Sequence, residues 1–168
     1  NRSYKVEINK KKYKTVAIVQ ARENSTRFPK KVLYKINGKS IIQIIVSRLL
    51  KSKNVDKIIV AIPNNKKNKN LEKHLKKKKI KFFKGSEHDV LNRFFTIAKK
   101  IKAQNIVRIT SDCPLVDPFL IDKIVKRHFL EKAEYSSNVC PASFPDGMDV
   151  EVISFKILDK LEKITKKL

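Results

Sequence analysis

Apolar residues along this chain fall into short continuous runs that alternate with segments of helical spacing. Thr15–Gln20 reads as a buried strand, and Ile41–Lys51 carries apolar residues three and four apart. Lys57–Ile62 is the next strand, closed by Pro63. Asn68–Lys79 is a very basic helix anchored only by Leu71 and Leu75, and Ile80–Phe83 is a short strand ended by Gly85. Asp89–Lys102 is strongly amphipathic, with Ser86 or Asp89 as its cap. Asn105–Thr110 is a strand, and Pro118 opens a helix running to Lys132, proline being favoured in a first turn. Tyr135–Val139 and Val150–Ser154 read as further strands, and Phe155–Leu168 as a final helix. Alternating strands and helices with continuously apolar strands predict an α/β fold, its mostly parallel sheet covered on both faces.

Length and composition narrow this picture. The 168 residues are 41% apolar, enough for one domain with its own core. Residues 1–14 are polar and basic and read as a tail or linker. The domain is then 15–168, and its last residues fall within an amphipathic helix, as in a piece of a longer protein. No membrane span is expected. The most apolar helix, residues 41–50, is broken by Gln43, Ser47 and Arg48, whereas spanning takes about 20 apolar residues. With two cysteines, no disulfide framework is expected, and a reduced, cytoplasmic setting follows.

A net charge of +24 raises the question of nucleic acid. The basic residues are 33 Lys and only 7 Arg, however, in a chain also rich in Ile and Asn. Sequence-specific nucleic-acid sites lean on arginine for bidentate contacts, so a compositional bias toward lysine accounts for the charge better than a nucleic-acid partner.

Ligands of open α/β sheets bind at the carboxyl ends of the strands, and three loops there stand out. Residues 20–31, after the first strand, gather Arg22, Arg27, Lys30 and Lys31 with Ser25, Thr26 and a row of backbone amides. That is either a solvated basic loop or a cradle for a triphosphate. It is not a Walker A loop. Residues 109–115 place Asp112 just past a strand and before Pro114, where a carboxylate either caps a turn or holds a hard divalent cation. In residues 85–93, Ser86 and Arg93 either approach a base or ribose or serve as ordinary helix capping. Cys113 reads as a small buried filler, His74 and His128 as surface residues, and His88 has no acid–base role.

Taken in order, these loops resemble the cytidylyltransferases that activate acidic sugars, above all the SpsF-type spore-coat polysaccharide branch. CMP-Kdo and CMP-sialic acid synthetases are more distant relatives. The matching pieces begin with Ala21-Arg22, Ser25-Thr26-Arg27-Phe28-Pro29, Lys31-Val32-Leu33 and Asn37-Gly38-Lys39. They continue with Gly85-Ser86-Glu87, Asp89-Val90-Leu91, Arg93, Arg108-Ile109-Thr110 and Asp112-Cys113-Pro114-Leu115. The last are Ser137-Asn138-Val139 and the run from Phe144 to Val152. The resemblance implies a three-layer, Rossmann-like nucleotidyltransferase fold of the GT-A type, and transfer of CMP from CTP to an acidic sugar with release of pyrophosphate. It implies that Arg22, Arg27 and Lys31 hold the β- and γ-phosphates, with Gln20, Ala21, Ser25 and Thr26 in the same cradle. Asp112 becomes a Mg²⁺ ligand, Ser86, Arg93 and Arg108 line the base and ribose pocket, and Asn138, Asp149 and Glu151 face the sugar. Relatives carry a second metal-binding Asp and a dimerisation portion beyond this C-terminus, which makes a homodimer the expected full-length form and leaves a nucleotide-binding module without turnover as the alternative. Relatives also have Gly where this chain has Lys30 and Ser111, and often where it has Asn24, so a remodelled phosphate loop is expected.

Overall fold

A computed structural model describes residues 15–24 and 28–166. The expected tail, residues 1–14, lies outside them, as do Ser25, Thr26 and Arg27. The central sheet has six strands: β1 (Thr15–Gln20), β4 (Lys57–Pro63), β5 (Phe82–Gly85), β6 (Asn105–Thr110), β7 (Tyr135–Ser137) and β8 (Glu151–Ser154), in the order β5-β4-β1-β6-β8-β7. The first four in that order run parallel, and β8 is antiparallel to both β6 and β7. A hairpin of β2 (Lys35–Ile36) and β3 (Lys39–Ser40) stands apart from this sheet.

Two helix layers cover it, completing the expected three-layer α/β architecture. On one face α1 (Ile41–Leu49), α2 (Lys69–Lys77) and α4 (Pro118–Leu130) pack Ile42, Ile45, Leu71, Leu75, Ile121 and Val125 onto Ala17, Val19 and Val107. On the other, α3 (Val90–Lys100) and α5 (Phe155–Thr165) pack Phe94, Ile97 and Leu158 onto Val16, Ile18 and Ile106. Each fully buried Ile or Leu contributes about 1.5–3 kcal/mol. Helix starts follow local chemistry. Ser40 and Gln43 form a reciprocal capping box on α1, and Asp117 accepts from the Leu120 amide before Pro118 on α4. None of the described helices is long and apolar enough to cross a membrane.

Three expectations are corrected. The strand expected at Ile80–Phe83 is Phe82–Gly85, because the Ile80 amide is spent closing α2 on the Leu75 carbonyl. The β2–β3 hairpin was not anticipated, although Asn37 (φ 49°) and Gly38 (φ 78°) are the left-handed pair that a tight hairpin turn demands. His74 and His128 are not surface residues. His128 continues the Ile121–Val125 stripe of α4, is 2% exposed, and places Nδ1 3.0 Å from Ser136 Oγ. His74 is half-buried, with Nε2 2.8 Å from Ser40 Oγ.

Helices α2, α3 and α4 end alike, on a lysine in the left-handed region: Lys79 (φ 56°), Lys102 (φ 54°) and Lys132 (φ 50°). In α3, Ala103 donates to the Ala98 carbonyl and Lys102 to Lys99; in α4, Ala133 donates to His128 and Lys132 to Phe129. This is the Schellman arrangement, whose left-handed residue is ordinarily glycine. Lys102→Gly and Lys132→Gly should therefore each raise stability by about 1 kcal/mol in denaturant titrations. Lys126→Gly, inside α4, should lower it by a similar amount.

Burial holds the His128 imidazole below the usual histidine range. Its folded form resists a proton that the unfolded chain accepts below about pH 6.5, so stability falls as pH drops through that value. His128→Gln should flatten the dependence of unfolding free energy on pH between about 7 and 5, measured by urea denaturation. An unchanged slope would place the titrating group elsewhere.

Candidate functional site

Parallel strands deliver their following loops to one edge of the sheet. The antiparallel β8 begins at that edge, and β7 ends there, so the loop of residues 138–150 joins them. The exit of β1 is fixed on both sides: the Ala21 amide donates to Ala61 O at 3.0 Å, and the Ser111 amide donates to Gln20 O at 3.0 Å. Ala21 is buried, and Gln20 ends the strand with its Oε1 buried and without a hydrogen-bond partner among the described residues. The first and second candidate loops thus leave the sheet side by side.

A cleft of about 570 Å³ opens between them. Phe28 and Lys31 form one wall, Thr110, Asp112 and Leu115 the second, and Asp146 and Asp149 the third. Lys31 opens a 3-10 turn (Lys31–Leu33) that follows Lys30, which is held left-handed at φ 58° and ψ 17°. At Lys30, where relatives have Gly, the backbone is thus in the region that glycine enters most easily, with a lysine on it. Across the cleft Lys31 Nζ lies 2.7 Å from Asp112 Oδ2, with side chains 22% and 48% exposed. Burial works against ionisation of Asp112. The Lys31 ammonium and the Thr110 hydroxyl outweigh it, and the carboxyl stays below its ordinary value. Cys113 is the buried filler it was expected to be. Its Sγ lies 3.0 Å from Thr110 Oγ1, and burial pushes the thiol up, away from nucleophilic thiolate character.

The remaining candidates separate into groups. Arg22 is exposed at the cleft edge of β1. Arg93 is 2% exposed on the first turn of α3. Its Nη1 donates to Ser86 O at 2.6 Å, while Nε is buried without a partner among the described residues. Burial first, and the nearby Arg22 charge second, lower its pKa. Gly85 makes room for it, since a Cβ there would meet Arg93 Cγ at 2.9 Å. Ser86 is exposed, with Oγ accepting from the Asp89 amide, and Asp89 is the residue that caps α3 through the Asn92 amide.

Two other candidates bind each other: Arg108 Nη1 donates to Glu151 Oε1 at 2.6 Å, directly across the β6–β8 register. Asn138 is 7% exposed. Its side-chain amide donates to Met148 O and its Oδ1 accepts from the Val150 amide, so it braces the 138–150 loop. Asp149 is half-buried and faces the cleft.

Glu23 was missed. It is 2% exposed, its Oε1 accepts from the Leu71 amide at 2.6 Å and its Oε2 from Asn70 Nδ2, which caps the N-terminus of α2. Its own amide donates to Asn68 Oδ1, and its carbonyl accepts from the Lys30 amide at 2.8 Å, closing the loop. The available signal was one acid in an otherwise cationic loop.

Among the described residues no group of three or more His, Cys, Asp or Glu side chains forms a metal cage. Asp112, with Asp146 and Asp149 on the facing wall, fits a different demand. Mg²⁺ is commonly held by one or two carboxylates, its other positions filled by waters and substrate phosphates.

The cytidylyltransferase family model matches residues 16–149. An uncharacterized protein of Methanocaldococcus jannaschii is 37% identical over 153 residues, covering 91% of this chain and 62% of its own length. The spore coat polysaccharide biosynthesis protein SpsF of Bacillus subtilis is 33% identical over 151 residues, covering 88% and 62%. A cytidylyltransferase structure from Leptospira borgpetersenii superposes with a TM-score of 0.85 at 30% identity, covering 90% of this chain and 65% of that one. The chain thus spans a little under two thirds of these relatives. With the fold, the converging loops and the family match in agreement, this chain belongs to the cytidylyltransferase family.

Proposed function

We propose that this domain transfers CMP from CTP to a sugar, of the acidic class that the resemblance implies, with release of pyrophosphate. The observation that carries this reading is the convergence of Lys31 and Asp112, 2.7 Å apart, in a cleft at the carboxyl ends of parallel strands. A sugar hydroxyl oxygen attacks the α-phosphorus and gives up its proton to solvent, the bond to the bridging oxygen breaks, and pyrophosphate departs with that electron pair. Such a reaction needs little covalent help and mostly positioning and neutralisation of spreading charge. Lys31, with Arg22 at the loop's start and Arg27 within it, takes phosphate oxygens and balances the departing pyrophosphate. Asp112 would hold a magnesium ion, which supplies further neutralisation when bound. Asp146 and Asp149 form the wall facing the acceptor and offer oxygens for its hydroxyl groups. Arg93 and Ser86 hold the β5–α3 loop in shape beside Arg22, which is a narrower role than direct contact with the base.

Thermal melts with CTP, UTP, ATP and GTP, each with and without Mg²⁺, test the reading. CTP with Mg²⁺ should raise the melting temperature selectively, and the shift should survive about 0.3 M salt, where exposed charges are largely screened. Equal shifts with all four nucleotides that vanish in salt would mean that net charge is acting alone. Lys31→Ala should weaken magnesium–CTP binding by about 1.5–3 kcal/mol, the magnitude of a lost charge-assisted contact, by calorimetry.

Glu23→Ala should cost about 1–2 kcal/mol of stability through the uncapped α2. It should also raise the Kd for CTP at temperatures where the variant remains folded, since the loop closes on Glu23. A stability loss with unchanged CTP affinity would limit Glu23 to helix capping.

A further inference from the structure

The two charged side chains at the centre of the cleft are spent on each other. The Lys31–Asp112 pair joins loops that are 81 residues apart in sequence, one after β1 and one after β6. Among the described residues Lys31 is the one cation lining the cleft, and Asp146 and Asp149 are its other carboxylates. Lys31 is mostly covered, whereas the Asp112 side chain, 48% exposed, stays open to an ion arriving from solvent.

We propose that this pair is an exchange latch: Lys31 withholds Asp112 from metal until a polyphosphate draws the ammonium away, so that metal and triphosphate bind with positive coupling. The inference rests on the nucleotidyltransferase reading above. A divalent cation arriving alone meets a carboxylate already neutralised by an ammonium at hydrogen-bond distance, and must either displace that ammonium or sit beside it as a like charge. A metal-free polyphosphate meets the mirror problem. It can recruit Lys31 only by baring Asp112 toward its own oxygens, and like charges in close approach disfavour both. Arriving together, the two ligands take one partner each. Lys31 turns to phosphate and Asp112 to metal, and opposite charges alternate through the site. Linkage makes the coupling reciprocal, so each ligand raises the affinity of the other by the same factor. The latch keeps the cleft from filling with a bare ion or a metal-free nucleotide, neither of which can react.

This yields a test in which removing one partner strengthens binding of the other's ligand. Mn²⁺ binding without nucleotide is read from the electron paramagnetic resonance signal of the free ion. Lys31→Met should bind Mn²⁺ about fivefold or more tighter than wild type, the lower end of ordinary coupling, and the gain should vanish when Asp112→Asn is added. In EDTA, Asp112→Asn should bind inorganic tripolyphosphate more tightly than wild type by a similar factor. If the two residues act as independent ligand contacts, Lys31→Met leaves Mn²⁺ affinity unchanged and Asp112→Asn leaves metal-free tripolyphosphate binding unchanged or weaker. Either result overturns the latch. Circular dichroism identifies a variant that has not folded, and Lys31→Gln then replaces Lys31→Met with the same expectation. The wild type's response to CTP with Mg²⁺ separates the two levels. No CTP-selective stabilisation would remove the enzyme reading itself, whereas selective stabilisation without the Mn²⁺ gain would remove the latch alone.

Discussion

The paired backbone bonds at the exit of β1, from Ala21 to Ala61 and from Ser111 to Gln20, set where every other part of the site can be. They exist because β1 is the inner strand of a parallel sheet and is buried on both faces, with Ala17, Ile18 and Val19 fully excluded from water. Slipping β1 by one residue would turn its two apolar faces over and break the match with both helix layers. The register is therefore strongly specified. With it fixed, the loop carrying Lys31 and the loop carrying Asp112 start from adjacent strands in one direction. Their contact across the cleft is a consequence of sheet topology before it is one of electrostatics.

In a chain of 40 basic and 16 acidic side chains, carboxylates are scarce, and two of the buried ones, Glu23 and Asp122, are used where backbone would otherwise lack acceptors, while a third, Glu162, takes the side chains of Asn92 and Lys166. Glu23 takes the Leu71 amide, and Asp122 takes the Ser52 hydroxyl and the Lys53 and Asn54 amides, tying the α1–β4 connection to α4. Exposed pairs such as Arg127–Glu131 and Lys163–Asp159 lie along helices and contribute only a few tenths of a kcal/mol each. For Glu23 and Asp122 it is accepting backbone amides, not pairing with a lysine, that ties the acid into the fold. The same scarcity gives the cleft its character, since its lining sets Asp112, Asp146 and Asp149 against Lys31 in a molecule that is cationic overall.

Much of this was legible in the chain, and the exceptions have physical causes. Residues 105–110 and 15–20 read as strands because short β-branched apolar runs lie between helical segments, and α3 shows itself through Val90, Phe94, Ile97 and Ala98. The three loops at one edge followed from strand–helix alternation, which is local information. Pairings that depend on register were not visible. Arg108 and Glu151 meet only because β8 runs antiparallel to β6, and no local pattern announces that. His128 reads as a surface residue because Lys126 and Arg127 directly precede it. Its neighbours along the helix face, Ile121 and Val125, were the ones to consult. Glu23 was overlooked because its partner, the start of α2, lies 48 residues away.

Lysines in left-handed backbone show how composition and site interact. At the ends of α2, α3 and α4 the side chains of Lys79, Lys102 and Lys132 point into open solvent, and replacing glycine there costs stability without touching the cleft. Lys30 carries the same kind of strain one residue before Lys31. It is held from both sides, donating its amide to Glu23 O and accepting the Leu33 amide on its own carbonyl. A left-handed residue at that point reverses the chain so that Lys31 starts the short helical turn facing Asp112. The residue could relax toward ordinary backbone only by releasing Glu23, which is pinned to α2. The strain is therefore carried by the packing of a helix on the sheet, and what it secures is the direction of the one ammonium that the cleft contains among the described residues.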